Sequence, residues 1–309
     1  MHTRTLAVIC FLMILSSTAG AQSQNLAQRL GYPADAKLLI IHADDLAVAH
    51  SQDMASFEAL NRGAVSSASV MVPCPWLTEV ADYAKAHPEA DLGLHLTLTS
   101  EWKAYRWGSI LSRDEAPSLF DPHGYLWMTM AEAVQHINPA EAEREIHAQI
   151  QMALKMGIHP THLDSHMATL YATPALVAVI ARVAHEYHLP FLLIKAPGAP
   201  AERYAAINST DVVMDHVFMA APPLKPDEWS SYYTDIVKSL GPGISEILVH
   251  LAYDDAEMRA ITAGYQEYNS PWRQRDFNVM TSPEFQQALK ENHITLVTWR
   301  ELGKRLPKL

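Results

Sequence analysis

Cysteine is nearly absent from this sequence: among 309 residues only Cys10 and Cys74 carry a thiol. Cys10 falls in an N-terminal stretch that reads as a cleavable leader, so the mature chain keeps Cys74 alone and has no internal disulfide open to it. A basic excess is lacking too, since 23 Lys and Arg stand against 34 Asp and Glu, for a net charge of −11. Nucleic acid demands a basic face for its phosphates, and this balance argues against it as a partner. No low-complexity tract interrupts the chain, and its N-terminal apolar run, Leu6 to Leu15, is too short for a stable membrane anchor.

What is present at the N-terminus has the order of a secretory signal: Arg4, then the apolar run, then small residues ending in Ala19-Gly20-Ala21. Residues 1–21 are expected to be removed, and the protein to be exported to the periplasm or beyond the cell. Residues 22–309 are 288 positions with ample apolar content, 49% of the whole chain, so one large core and a single domain are expected.

From Leu38 onward strand-like and helix-like stretches alternate. Four apolar residues in a row make Leu38 to Ala43 a strand buried on both faces. A helix from about Val48 to Leu60 ends at Gly63, Ser66 to Val72 forms the next strand, and Leu77 to His87 a helix closed by Pro88. Leu92 to Leu98 is the third strand. Residues 101–138 then break the rhythm with Trp102, Tyr105, Trp107, Phe120, Tyr125 and Trp127, and read as a long aromatic-rich loop insertion. Beyond it, Asn138-Pro139 opens a helix to Met156, Thr161 to Ser165 a strand, Thr173-Pro174 a helix to about Tyr187, and Pro190 to Lys195 a strand. Asp211 to Met219, Glu246 to His250 and Ile294 to Thr298 supply further strands, with helices from Asp227 to Leu240 and from Ser282-Pro283 to about Asn292. The span between His250 and Ser282 reads as a loop. Seven or eight β-α units predict an α/β fold, a TIM-like (β/α) barrel that is distorted or incompletely closed; a doubly wound open sheet is the alternative.

Functional groups of parallel barrels gather at the C-terminal ends of strands, and the chemistry-bearing residues fall there. Asp44 and Asp45 end the first strand, His95 lies near the end of the third, Asp164 and His166 end a later one, and His250 ends another. Two adjacent carboxylates at the end of a buried strand need a metal, a cation or a proton; the plainer reading makes Asp45 a helix N-cap. One carboxylate with two imidazoles is enough for a divalent ion that keeps positions open for water and substrate. In Thr161-His162-Leu163-Asp164-Ser165-His166, Gly157 and Pro160 favour a strand over a helix. His162, Asp164 and His166 then share one side, where Asp164 can orient a ligand imidazole.

These residues also carry a resemblance. His42-Ala43-Asp44-Asp45-Leu46 resembles the N-A-D-D-F motif, Gly93-Leu94-His95-Leu96 the G-x-H-x-x-L motif and Thr161 to His166 the T-H-x-D-S-H motif of the YdjC-like carbohydrate deacetylases, which include chitooligosaccharide deacetylases. Glu246 to His250 is similar to that family's later strand ending in histidine. The likeness runs from Leu38 to about Leu302 and implies metal-dependent removal of acetyl groups from N-acetylated sugars or oligosaccharides. It further implies one divalent ion, Mg2+ or Zn2+, held by Asp45, His95 and His166, with Asp44 as general base. A histidine must then protonate the departing amine, and His250 is assigned that role, with substrate orientation as its alternative.

The sequence departs from the family where His42 replaces Asn, Leu46 replaces Phe, and Met167-Ala168-Thr169-Leu170-Tyr171 follows His166 in place of further histidines. The metal set survives these changes; the chitooligosaccharide substrate is not secured by it. An O-acetyl ester or phosphoester substrate, or a non-catalytic glycan-binding role, are the alternatives, and a homodimer is left open. Trp102 to Trp127 is read first as packing and second as a sugar platform. Asp254-Asp255 reads as a solvated loop, and Arg273 and Arg275 read by default as surface charge.

Overall fold

The computed structural model describes residues 25–194, 198 and 200–305; the leader expected at residues 1–21 lies outside the described residues. In chain order the elements are α1 (Leu26–Arg29), β1 (Lys37–Leu46), α2 (His50–Asn61), β2 (Ser67–Val70), α3 (Leu77–Ala86), β3 (Leu92–Leu96), α4 (Met130–His136), α5 (Pro139–Lys155) and β4 (Leu163–Ser165). They continue with α6 (Pro174–Glu186), β5 (His216–Met219), α7 (Trp229–Ser239), β6 (Gly243–Val249), α8 (Ala256–Ile261), α9 (Ser270–Met280), α10 (Pro283–Glu291), β7 (Ile294–Leu296) and α11 (Trp299–Arg305). Among these none is a helix long and apolar enough to cross a membrane.

All strand pairs are parallel, in the order β4-β3-β2-β1-β6-β5, with β7 also on β1. Strand β1 is the axis: β6 follows it from Lys37 to Ala43, β7 pairs its first three residues, and β2 takes over from His42. Between β4 and β5 irregular chain carries the hydrogen bonding, with Leu192 N donating to Leu163 O and Met214 N to Leu193 O. The sheet thus curls into a distorted barrel, and the order never reverses as a doubly wound sheet requires. Pro190 to Lys195, expected as a strand, contributes only a bridge at Phe191, and the expected strand at 211–219 shrinks to β5.

Alternation along β1 assigns its two faces. Leu39, Ile41 and Ala43 join the core beneath the helices, whereas Leu38 and Ile40 belong to a second cluster with Ile244, Met214 and Trp299. Each fully buried Leu or Ile contributes about 1.5–3 kcal/mol. The face of Leu38 and Ile40 continues upward as His42 and Asp44, so an apolar barrel floor gives way to a polar upper layer. Helix starts follow local chemistry: Asn138, Thr173, Asn269 and Ser282 each accept a backbone N–H and each precedes a proline at the first or second helical position. Helices α8 and α9 occupy the span that the sequence reading left as loop.

Candidate metal centre

Strict alternation would send Asp44 and Asp45 to opposite faces of β1. The alternation breaks here: the register against β2 shifts between Ala43 and Leu46, and Asp45 has φ of +69°, followed by Ala47 at +76°. Left-handed backbone at non-glycine residues is strained and persists only where the surroundings hold it. Gln52 does so by donating to Asp44 O at 2.5 Å, and Asp53 by accepting from Ala47 N at 2.7 Å. Asp45 is therefore not the N-cap of α2, whose cap is Ala49. Both carboxylates turn into one site instead.

At that site Asp45 Oδ1 lies 3.4 Å from His95 Nε2 and 3.3 Å from His166 Nδ1. Asp44 Oδ1 lies 3.9 Å from His95 Nδ1, and His250 Nε2 lies 3.9 Å from Asp44 Oδ2 and 3.8 Å from Asp45 Oδ2. All five side chains expected from the sequence thus come together. His162 does not join them, sitting lower with its ring stacked on Trp299.

Ligand atoms of Asp45, His95 and His166 fall within 4.8 Å of one another, and the second polar atom of each is anchored elsewhere. Asp45 Oδ2 accepts from Arg273 Nη2 at 2.9 Å, His95 Nδ1 meets Asp164 Oδ1 at 2.7 Å, and His166 Nε2 meets Glu101 Oε2 at 3.0 Å. Asp45 Oδ1 is buried with no hydrogen-bond partner, between two imidazole nitrogens. An unpartnered carboxylate oxygen flanked by two anchored imidazoles fits a divalent cation, and carboxylate–histidine pairs behind the ligands are the usual support. Two other groupings, Asp44-His95-Asp164 and His42-His162-Asp164, are equally compact. In both, Asp164 is already engaged, by His95 and by His42 at 3.1 Å.

The electrostatics follow the same pattern. Burial works against a charge on His166, but Glu101 and Asp45 outweigh it and raise the pKa to about 10. Burial likewise opposes charge on Asp45 and His95. Arg273 and His166 nevertheless hold Asp45 well below the usual carboxylate range, and Asp164 and Asp44 raise His95. Burial leaves His250 below its usual value.

Arg273 corrects the default reading of surface charge: it is 2% exposed, donates to Gln52 Oε1 and Tyr268 O as well as Asp45, and lies over the Trp102 ring. Arg275 packs over Trp229. Trp102 and Trp107 are each 3% exposed, and Trp107 lies 6.1 Å from the His166 ring, so these rings wall the site rather than offer an open face. Asp255 caps α8 and Asp254 pairs with Arg259, both local tasks. Glu101 and Arg273 are the site residues that the sequence reading missed. Glu101 could have been found from its place five residues beyond β3; for Arg273, Asn269-Ser270-Pro271 signals the start of α9 but not the burial of its guanidinium.

Comparison with known proteins gives the chain a family and a fold. A family described as YdjC-like protein matches residues 38–291. The carbohydrate deacetylase of Thermus thermophilus is 32% identical over 288 residues, covering 91% of this chain and 99% of its own. That of Brevibacillus brevis is 29% identical, with 86% and 99% covered. Among solved structures, an Enterococcus faecalis protein provisionally assigned to cellobiose-phosphate cleavage superposes with a TM-score of 0.72 at 28% identity, covering 86% of this chain and 99% of its own.

Proposed function

The chain belongs to the YdjC-like protein family, and from that premise we propose that it is an exported hydrolase that uses one divalent ion to remove acetyl groups from N-acetylated sugars or oligosaccharides. Two supports meet here: relatives named carbohydrate deacetylase along nearly their whole length, and the unpartnered Asp45 oxygen set between two anchored imidazoles beside a second carboxylate. The latter observation carries the reading, because one carboxylate and two imidazoles, each held from behind, converge on a single point as the ligands of a divalent ion do.

In this proposal Asp45, His95 and His166 hold the ion. When bound there, a divalent cation polarises the amide carbonyl and eases the ionisation of water. Asp44, next in sequence to Asp45 and outside the ligand set, accepts the proton of the attacking water. His250 lies across from it and delivers a proton to the departing amine nitrogen. Burial keeps His250 neutral at rest, so it must first gain that proton, and Asp44, having taken one from the water, faces it from Oδ2 at 3.9 Å. Arg273, Asp164 and Glu101 touch neither proton path; they fix the orientations of the three ligands.

The deciding experiment is acetate release by the purified protein, stripped of metal and then given Mg2+, Zn2+ or other divalent ions, on N-acetylglucosamine oligomers and on O-acetylated glycans. Metal-dependent release from the amide-linked sugars is expected. Release only from the esters would replace the bond, and silence on every sugar with metal firmly bound would remove the deacetylase reading.

A further inference from the structure

Beneath the candidate centre lies a buried imidazole that the proposed mechanism does not use. His42 is fully buried on the barrel axis. Its Nε2 lies 3.2 Å from Asp44 Oδ1, 3.1 Å from Asp164 Oδ2 and 3.0 Å from Ser69 Oγ. Its Nδ1 lies 3.0 Å from Ser67 Oγ and 3.7 Å from Glu246 Oε1. One ring thereby gathers side chains from β1, β2, β4 and β6. Among the described residues, the shortest polar contact of the Asp44 side chain is this one, the others being Ser69 Oγ at 3.4 Å and two imidazoles at 3.9 Å. Asp164, the second carboxylate on Nε2, holds His95 through its other oxygen at 2.7 Å.

Resting on the metal-hydrolase reading, we propose that His42 is a positioning residue that fixes the base Asp44 and, through Asp164, the ligand imidazole of His95 as one hydrogen-bonded unit. A carboxylate in a dry interior keeps its orientation only while a donor holds it. With His42 removed, Asp44 would keep only Ser69 Oγ at 3.4 Å and imidazoles at 3.9 Å, and Asp164 Oδ2 would lose its 3.1 Å contact to His42, so base placement and metal affinity would degrade together. The surroundings agree: burial opposes charge on His42, yet Asp164 and Asp44 raise its pKa well above the usual value, which gives both ring nitrogens a proton to donate. His162 supplies the contrast. It is equally buried, 5.0 Å from His42 and edge to face with it, but its side chain bonds Thr161 and stacks on Trp299, and burial lowers its pKa to about 4.

The test uses His42→Leu, His42→Gln and the control His162→Leu. Zn2+ affinity is measured on metal-stripped protein by competition with a chromogenic chelator, kcat and KM for acetate release at saturating Zn2+, and Tm for folding. For His42→Leu both Zn2+ affinity and kcat are expected to fall by about 10–100-fold with KM nearly unchanged, the usual scale for a lost partner behind a ligand. Glutamine, whose amide nitrogen carries two hydrogens, is expected to restore most of both losses. His162→Leu lowers Tm and keeps both. If His42→Leu does not fold, His42→Met, which fills the space without a donor, carries the same expectations. A folded donor-free His42 variant with wild-type affinity and kcat overturns the proposal, as does a His42→Gln variant no better than His42→Leu or a His162→Leu variant that matches the losses. Absence of acetate release from the wild type would remove the deacetylase reading, and Zn2+ affinity would still decide the role of His42.

Discussion

Asp44 and Asp45 are neighbours with different partners, and substitution should separate them. Asp44→Asn is expected to cut turnover by about 10²–10⁴-fold, the scale of general-base catalysis, with bound metal near the wild-type level by atomic emission. Loss of metal in that variant would make Asp44 a ligand. His166→Ala, by contrast, should leave the protein unable to retain the ion, and wild-type occupancy would sink its assignment. Arg273→Met removes the guanidinium that holds Asp45 Oδ2 at 2.9 Å. A buried carboxylate stripped of its partner costs about 3–5 kcal/mol, read from urea unfolding of the metal-free protein, and added metal should recover part of it. Unchanged stability would show that Asp45 does not depend on Arg273 for its charge.

At the scale of elements, the contact between β3 and the chain entering β4 depends on a missing side chain. A Cβ on Gly93 would overlap the His162 ring, which is pinned against Trp299 at 5.2 Å. Overpacking of this kind costs about 1–3 kcal/mol. Gly93→Ala is therefore expected to lower Tm by several degrees, and an unchanged Tm would mean that the ring has room to move. The segment after β3 is fastened differently. Glu145 on α5 accepts from Ile110 N at 2.9 Å and Leu111 N at 3.0 Å, and also bonds Ser109, while Tyr265 OH donates to Glu101 O at 2.5 Å. The first ties the segment to α5, and the second ties its first residue, which supports His166, to the chain between α8 and α9.

For the molecule as a whole, the proposed centre sets metal and protons in competition for the same nitrogens. With His166 raised to about 10 in the metal-free protein, its stabilising charge is fully present below about 6.5 and is lost as pH rises through about 10. A ligand imidazole must be neutral, so metal affinity runs the opposite way and strengthens with pH across that window. Binding at pH 7.5 should release at least about one proton. Calorimetric titration in buffers of different ionisation enthalpy checks this, and identical heats in all buffers would refute it.

The sequence by itself determined the parallel α/β class, most strands to within a few residues, and the six residues at or near their ends on one rim, because apolar runs and strand-end polar residues are local signals. Helix α9 was missed although Asn269-Ser270-Pro271 announces it, since aromatic and charged residues between His250 and Ser282 obscured its period. Arg273 was invisible as a site residue for a deeper reason: nothing local distinguishes a buried guanidinium from a solvated one, and its partner Asp45 is 228 residues away. Only the tertiary structure decided that Asp45 leaves the alternation of β1 and turns to the same site as Asp44. Only it decided which nitrogen of each histidine is anchored and which is free. Those choices depend on how β2, β4, α2 and α9 pack around the end of β1, and packing between distant segments is not written in any one stretch of the chain.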